Sequence, residues 1–442
     1  MDNLLAARSQ MGMSLAFHII FAVIGVSMPL MMTIAEWRWR STGDPAYLFL
    51  AKRWAKGTTI LFGVGAISGT VLSFELGLLW PRFMQYAGPV VGMPFSLEGF
   101  AFFTEAIFLG IYLYGWERVP GSLHLLSGLI VSFSGMISAV FVTLVNGWMN
   151  TPTGFEIVAG KFQNIHPFAA MLNPAGIPEA VHMVLAAYTA AGFATAGIHA
   201  FLLLRRGRNR FDELAISIAL AVGACAVLVQ GISGDALARM VARYQPMKLA
   251  SLEGQFTTET GAPLRIGGIP FPKQRETKYA IEIPDGLSLL AFHDPHSRIQ
   301  GLDQESEADW PNVPLVHMSF QAMIGCGSLL SLFALVAAWL AWKKGPLSKQ
   351  KLFLKALVLV SPLGFVALEA GWMVTELGRQ PWIVYHLMRT KDAVTSTPNI
   401  AVVFTIMTLV YLLLGVVVIW LLSKHVIAQP ETKQLEGSGV LV

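Results

Sequence analysis

Nine stretches of this sequence, at 14–36, 58–80, 95–116, 125–149, 180–204, 214–234, 314–342, 352–375 and 400–423, stay apolar for about twenty residues or more. Each is long enough to cross the hydrocarbon core of a bilayer as a helix. In that solvent every backbone N–H and C=O must be paired within the chain, as a helix pairs them. Composition agrees, with 54% hydrophobic and only 13% charged residues, about half the charged share of a soluble domain. The expectation is an all-α, polytopic membrane bundle. Helices one to six fall in 1–234 and helices seven to nine in 314–425, with a large outer-face loop at 235–313 and a tail at 426–442. The first run is too long for a signal-peptide core and is read as a retained span.

Basic residues set the orientation. Arg38, Arg40, Lys52, Arg53 and Lys56 follow the first run, Arg205, Arg206, Arg208 and Arg210 the fifth, and Lys343, Lys344, Lys349, Lys351 and Lys355 the seventh. The alternate connections are poor in Lys and Arg. Basic connections stay cytoplasmic, so the N-terminus is expected outside and the tail inside. The loop at 235–313 then lies outside. It is longer than a simple connector, which points to function or disorder, and Tyr279-Ala-Ile-Glu-Ile-Pro suggests order in part of it. Cys225 and Cys326 lie in apolar runs without CxxC spacing and read as buried small hydrophobes. No Gly-rich nucleotide loop, internal repeat or basic nucleic-acid patch is present.

Ionisable groups at membrane depth are costly and are functional candidates by default. His18 lies near the start of the first run. Glu98 and Glu105 lie two turns apart on the third, His182 opens the fifth, and Asp235 closes the sixth. Glu369 and Glu376 lie on the eighth, with Trp372 between them. Following the chain direction, His18, Glu98, His182, Met323 and Glu376 are all expected toward the outer surface. Glu105 is expected about 10 Å deeper at 1.5 Å per residue. Two His, one Met and several carboxylates in an apolar site suit haem iron. They equally suit a cofactor-free proton- or quinone-coupled carrier. Zinc is disfavoured, since no two of these residues have helical i, i+3 or i+4 spacing.

Several strings carry a family resemblance. Glu376-Leu-Gly-Arg-Gln-Pro-Trp382, with Glu369-Ala-Gly-Trp372 before it, resembles the signature of subunit I of the cytochrome bd quinol oxidases. Asn146-Gly-Trp-Met149 with Pro152, Glu98-Gly-Phe with Phe-Phe-Thr-Glu105, and Lys248-Leu-Ala-Ser-Leu-Glu253 are similar to the same family. The resemblance runs from Arg8 to the ninth span.

It implies that His182 and Met323 are the axial pair of a low-spin haem b. His18 and Glu376 would be ligands of two further haems, a high-spin haem b and haem d or a further haem b. Glu98 would lie beside that pair and Trp372 between haems. Glu105 and Ser138 would belong to a proton route from the cytoplasm, and Arg379 would face a propionate or the dihaem carboxylate. Gln245, Lys248 and Glu253 would form the quinol site of the outer loop. The implied activity is quinol oxidation at the outer face with reduction of dioxygen to water by cytoplasmic protons, generating proton motive force without pumping. The setting is the bacterial inner membrane, with lipid around the helices. A second large membrane subunit is implied, with a small single-helix subunit as a further candidate. The loop is of the short form. Gln321, two residues before Met323, stands where many members carry Arg. That resembles the cyanide-insensitive branch and should lower the low-spin potential if nothing compensates.

Plainer readings accompany these. Glu369 could pair with a helix dipole, and Glu105 could bind a partner subunit. His124 and His317, at span ends, read as solvated, while His166, His293 and His296 read as structural loop residues. Lys248 and Glu253 could be an ordinary solvated pair.

Overall fold

The computed structural model describes residues 2–427. The expected tail therefore lies almost wholly outside the described residues. Among them, nine helices are long and apolar enough to cross a membrane. They are Asn3–Thr42, Pro45–Leu79, Pro81–Tyr114, Gly121–Asn150, Gly176–Arg206, Arg210–Tyr244, Val313–Lys344, Lys351–Gly378 and Ile400–Ile427. All nine expected spans are present, and most extend beyond the apolar run that announced them. Hydropathy marks only the hydrocarbon layer, whereas helical hydrogen bonding continues through the polar interface until a cap ends it. Asp2 accepts from the Leu5 N–H at 2.7 Å, Asn209 from Asp212 at 2.8 Å and Asn312 from Leu315 at 3.2 Å. One consequence is a correction: Asp235 lies inside the sixth span, which continues to Tyr244. The eighth span is interrupted at Ser361–Pro362, between the helices Lys351–Val360 and Leu363–Gly378.

The chain divides into two compact units. The first comprises residues 1–78, 103–135 and 396–442. Here the ninth span packs on the first: the rings of Phe17 and Tyr411 lie 4.6 Å apart, and Phe21, Val64 and Val418 form a buried cluster. The second unit comprises residues 79–102 and 136–395. Spans five and six touch backbone to backbone, since a Cβ on Gly192 would lie 2.7 Å from Gly223 Cα. Span eight approaches span five as closely, with a Gly364 Cβ falling 2.6 Å from Ala190 Cα. Small residues permit this approach where no hydrophobic force draws helices together.

The connection between the sixth and seventh spans is ordered. It contains the helix Pro246–Glu253, an antiparallel hairpin of Leu264–Phe271 with Glu276–Ile283, and the helix Gly286–Phe292. Leu249, Leu252, Leu287, Ala291 and Ile299 join Met240, Val316 and Val374 of three spans in one buried cluster. The loop is thus packed onto the bundle rather than tethered above it.

Candidate functional site

In the first unit, His18 Nδ1 lies 3.0 Å from Ser68 Oγ. That hydroxyl already donates to Val64 O at 2.9 Å, so it accepts from Nδ1–H and leaves Nε2 with its lone pair. Gly69 faces the ring, where a Cβ would fall 2.9 Å from Cε1. Glu105 is buried in the same unit, against the backbone of Gly135.

In the second unit, the amide nitrogen of Gln230 lies 3.0 Å from His182 Nε2, while Nδ1 lies 3.1 Å from Ser233 Oγ. An amide N–H can only donate, so here too Nε2 is the acceptor and Nδ1 carries the proton. This is the tautomer a metal-bound imidazole needs, with the far nitrogen held by a polar partner. Gly234 faces this ring at 3.5 Å and Gly371 faces Met323 Sδ at 3.1 Å, both distances measured to a Cβ built on the glycine. Ser138 donates to Glu98 at 3.3 Å, so the serine meets Glu98 rather than Glu105. Trp372 is half-buried.

A buried polar chain runs from the loop between the sixth and seventh spans to the end of the eighth span. Lys248, 3% exposed, lays its stem over Gly378 and donates from Nζ to Asn150 Oδ1 at 2.8 Å. Asn150 Nδ2 donates to Asn146 Oδ1 at 3.0 Å and to Glu179 Oε1 at 3.1 Å. Asn146 donates in turn to Glu376 Oε1, whose other oxygen accepts from Arg379 at 2.7 Å. Burial, with Arg379 nearby, pushes the Lys248 ammonium down to about 8 against the opposing pull of Glu179 and Glu376. Burial pushes the Glu253 carboxyl up to about 8, opposed by Arg265. Gln245 is fully buried but reaches Met240 Sδ at 3.8 Å rather than the other two quinol-site residues. A cavity of about 10 Å³, lined in part by Met247, Gly378, Gln380 and Trp382, lies beside the loop. It is room for one water.

Several expectations need correction. Lys248 and Glu253 are not a solvated pair; both are buried. His124 and His317 are not solvated either. His124 Nδ1 lies 2.9 Å from Glu36 Oε1, and His317 sits between the carbonyls of Leu252 and Gly267 at 2.7 and 3.1 Å. Each stands where other segments close over the span end, which sequence position does not reveal. Cys225 is exposed on its helix, not buried, because an apolar run has a lipid-facing side as well as an inner one. Gln321 bonds the backbone of Arg265 and Gly267 at 3.1 and 2.9 Å, so it anchors the hairpin. Among the described residues no group of three or more His, Cys, Asp or Glu is placed to hold a metal ion.

The sequence reading missed Glu179, Asn150, Gln230, Ser233 and Ser68. It also missed Glu75, which accepts from Gln10 and Ser14 at 2.9 Å each inside the first unit. Glu179 lies one helical turn from His182 and Asn150 one turn from Asn146, so helical spacing from the named motifs was an available signal.

The donors fit haem. Two imidazoles whose Nε2 carries the lone pair, free on His18 and engaged by the Gln230 amide on His182, and one thioether are haem-ligand chemistry. Arg379, 2% exposed, leaves Nε and Nη1 buried without a partner beyond its pair with Glu376. A buried guanidinium in that state calls for a second anion, a place that a haem propionate would fit.

Comparison with known proteins agrees. The profile of the family described as "Cytochrome bd terminal oxidase subunit I" matches residues 6–430. A Bacillus subtilis (strain 168) protein named as a cytochrome bd menaquinol oxidase subunit I is 38% identical, over 98% of this chain and 99% of the relative. The cytochrome bd-II ubiquinol oxidase subunit 1 of Escherichia coli (strain K12) is 28% identical over 97% of each chain. A solved structure, the bd oxidase from Geobacillus thermodenitrificans, superposes with a TM-score of 0.91 at 36% identity, covering 97% of this chain and 99% of that one. Family membership sets aside the cofactor-free carrier. The chain belongs to the cytochrome bd terminal oxidase subunit I family and is a subunit of a terminal quinol oxidase.

Proposed function

We propose that quinol is bound and deprotonated beneath the outer loop at Lys248 and Glu253, and that the chain carries a low-spin haem b, a high-spin haem b and a third haem, d or b, which would take its electrons. The buried chain Lys248–Asn150–Asn146–Glu376 carries this reading, because it joins the proposed quinol site to a proposed haem ligand. His182 and Met323 would hold the low-spin haem, and His18 and Glu376 the other two. When bound, these groups supply electron transfer and the reduction of dioxygen to water.

The protein's own part is acid–base and positional. Glu253, with its carboxyl near 8, is poised close to working pH to accept a quinol proton. Lys248 orients a quinol oxygen, and Gln245, which occupies the N-cap of the same helix, belongs to the site. All three are closed off from solvent, so the loop must open for the headgroup to reach them. Glu105 and Glu98 pass protons from the cytoplasmic side, Ser138 holding Glu98 through its hydroxyl. Arg379 neutralises Glu376 and offers its remaining donors to a propionate. Taking substrate protons and product protons on opposite sides separates charge without a pump. This requires the N-terminus to lie outside, with the basic connections in the cytoplasm. The chain works with a second large membrane subunit, with a small single-helix subunit as a further candidate.

Oxygen uptake by the purified complex with a soluble quinol, together with its reduced-minus-oxidised spectrum, tests the reading. His182→Ala and Met323→Leu should each abolish the low-spin haem b bands and leave high-spin haem. A low-spin signal surviving in either variant would overturn the axial pair.

A further inference from the structure

The hairpin of the outer loop has two unlike faces. Ile266 pairs with Ile281 and Leu264 with Ile283, so these four stand on one face by strand alternation. Arg265 and Glu282 face the other way as an ion pair at 2.9 Å. Leu264 packs against the buried cluster below, while Ile281 is 69% exposed, Ile266 51% and Ile283 43%; next along the strand Tyr279, at a positive φ, is 82% exposed. Contiguous exposed apolar side chains mark a binding face on a protein surface. Nothing in quinol oxidation asks for them.

The height of the hairpin identifies what they meet. Gly267 N donates to Gln321 Oε1, Gln321 Nε2 donates to Arg265 O, and Gly267 O lies 3.1 Å from His317 Nε2. His317 and Gln321 belong to the seventh span, which starts at Val313. At 1.5 Å per residue they stand about 6 and about 12 Å along it. The first strand is therefore clamped beside the outer turns of a transmembrane helix, not above its end. At the same height that helix exposes Leu315 and Met318. The apolar run of this helix begins at 314, so its first turns lie at the boundary of the membrane, a layer where a Tyr ring and aliphatic side chains partition while charged groups stay in water.

We propose that the hairpin face formed by Ile266, Tyr279, Ile281 and Ile283 rests in the outer interfacial layer of the bilayer, with lipid as its occupant. The charged pair Arg265–Glu282 then stays on the side turned from the lipid. The outer loop is held at two levels, by Gln321 and His317 to the protein and by the apolar face to the membrane. The inference stands on geometry alone and does not depend on the quinol assignment.

The test uses the whole complex in nanodiscs. In a Cys225→Ser/Cys326→Ser background, Ile281→Cys or Tyr279→Cys carries an environment-sensitive fluorophore, and Glu282→Cys serves as the opposite face. Phosphatidylcholine with a nitroxide near the headgroup should remove several times more emission at positions 281 and 279 than at 282. A nitroxide at the chain terminus should remove less. A label at 281 that is quenched by aqueous iodide but not by either lipid would overturn the proposal in favour of a solvated loop. A label protected from all three quenchers would overturn it in favour of a protein partner. Tyr279→Cys keeps the test open if Ile281→Cys fails to fold, since its side chain is the most exposed of the four.

Discussion

His18 and His182 stand in separate units, yet each has its Nδ1 held by a serine and its ring faced by a glycine. The serine fixes the tautomer and the glycine leaves space, so both devices serve Nε2. Lys248 is the residue whose setting departs most from its sequence neighbourhood. Its ammonium is turned inward, and Lys248→Met would leave Asn150 and Glu179 without their cation. A charge-assisted hydrogen bond is worth about 1.5–3 kcal/mol, so kcat/KM for quinol should fall roughly 10- to 100-fold. Haem bands should be unchanged, and oxygen uptake beside the spectrum would show it; an unaltered rate would remove Lys248 from the site. Glu253 gives a pH prediction. Its carboxyl is raised to about 8 by burial, so the folded protein holds that proton more tightly than the unfolded chain does. The associated stability is present at low pH and is lost as pH rises through the carboxylate range to about 8. The apparent Tm of Glu253→Gln, relative to the parent, should therefore climb between about pH 5 and about pH 9. A flat difference would mean the carboxyl is ionised throughout.

Among elements, the glycines divide by what faces them. A Cβ on Gly371 meets Met323 Sδ at 3.1 Å, whereas one on Gly325 meets nothing within 4 Å, although both lie in transmembrane helices. Gly371→Val should displace the thioether and weaken or shift the low-spin haem bands, while Gly325→Ala should leave the spectrum as it was. Equal spectra for the two would sever Met323 from that haem. Gly192 and Gly223 act on packing instead. Gly192→Leu forces apart two backbones in contact, and overpacking of that kind costs about 1–3 kcal/mol or more. Loss of assembled complex on size exclusion, with a lower apparent Tm, is the expected result.

At the scale of the whole molecule, each unit holds its own candidate ligands: His18 in the first, and His182, Met323 and Glu376 in the second. His18→Ala should thus remove a high-spin signal and spare the low-spin one, the reverse of His182→Ala. Loss of all haem from both variants would show that neither unit keeps its site without the other.

The nine spans and the Glu376–Trp382 string were legible from the residues, because the bilayer imposes one hydropathy rule along the chain and the string is contiguous. So was the family. Span ends were not legible, because caps and interfacial turns decide them after the hydrocarbon ends. Nor was the inward turn of Lys248, the joining of Asn146, Asn150 and Glu179, or the clamp of Gln321 on the hairpin. Each is a hydrogen bond between segments far apart in the chain. Sequence decides which polar groups enter an apolar bundle; only the packing of helix on helix, and loop on helix, decides which partner each one finds there.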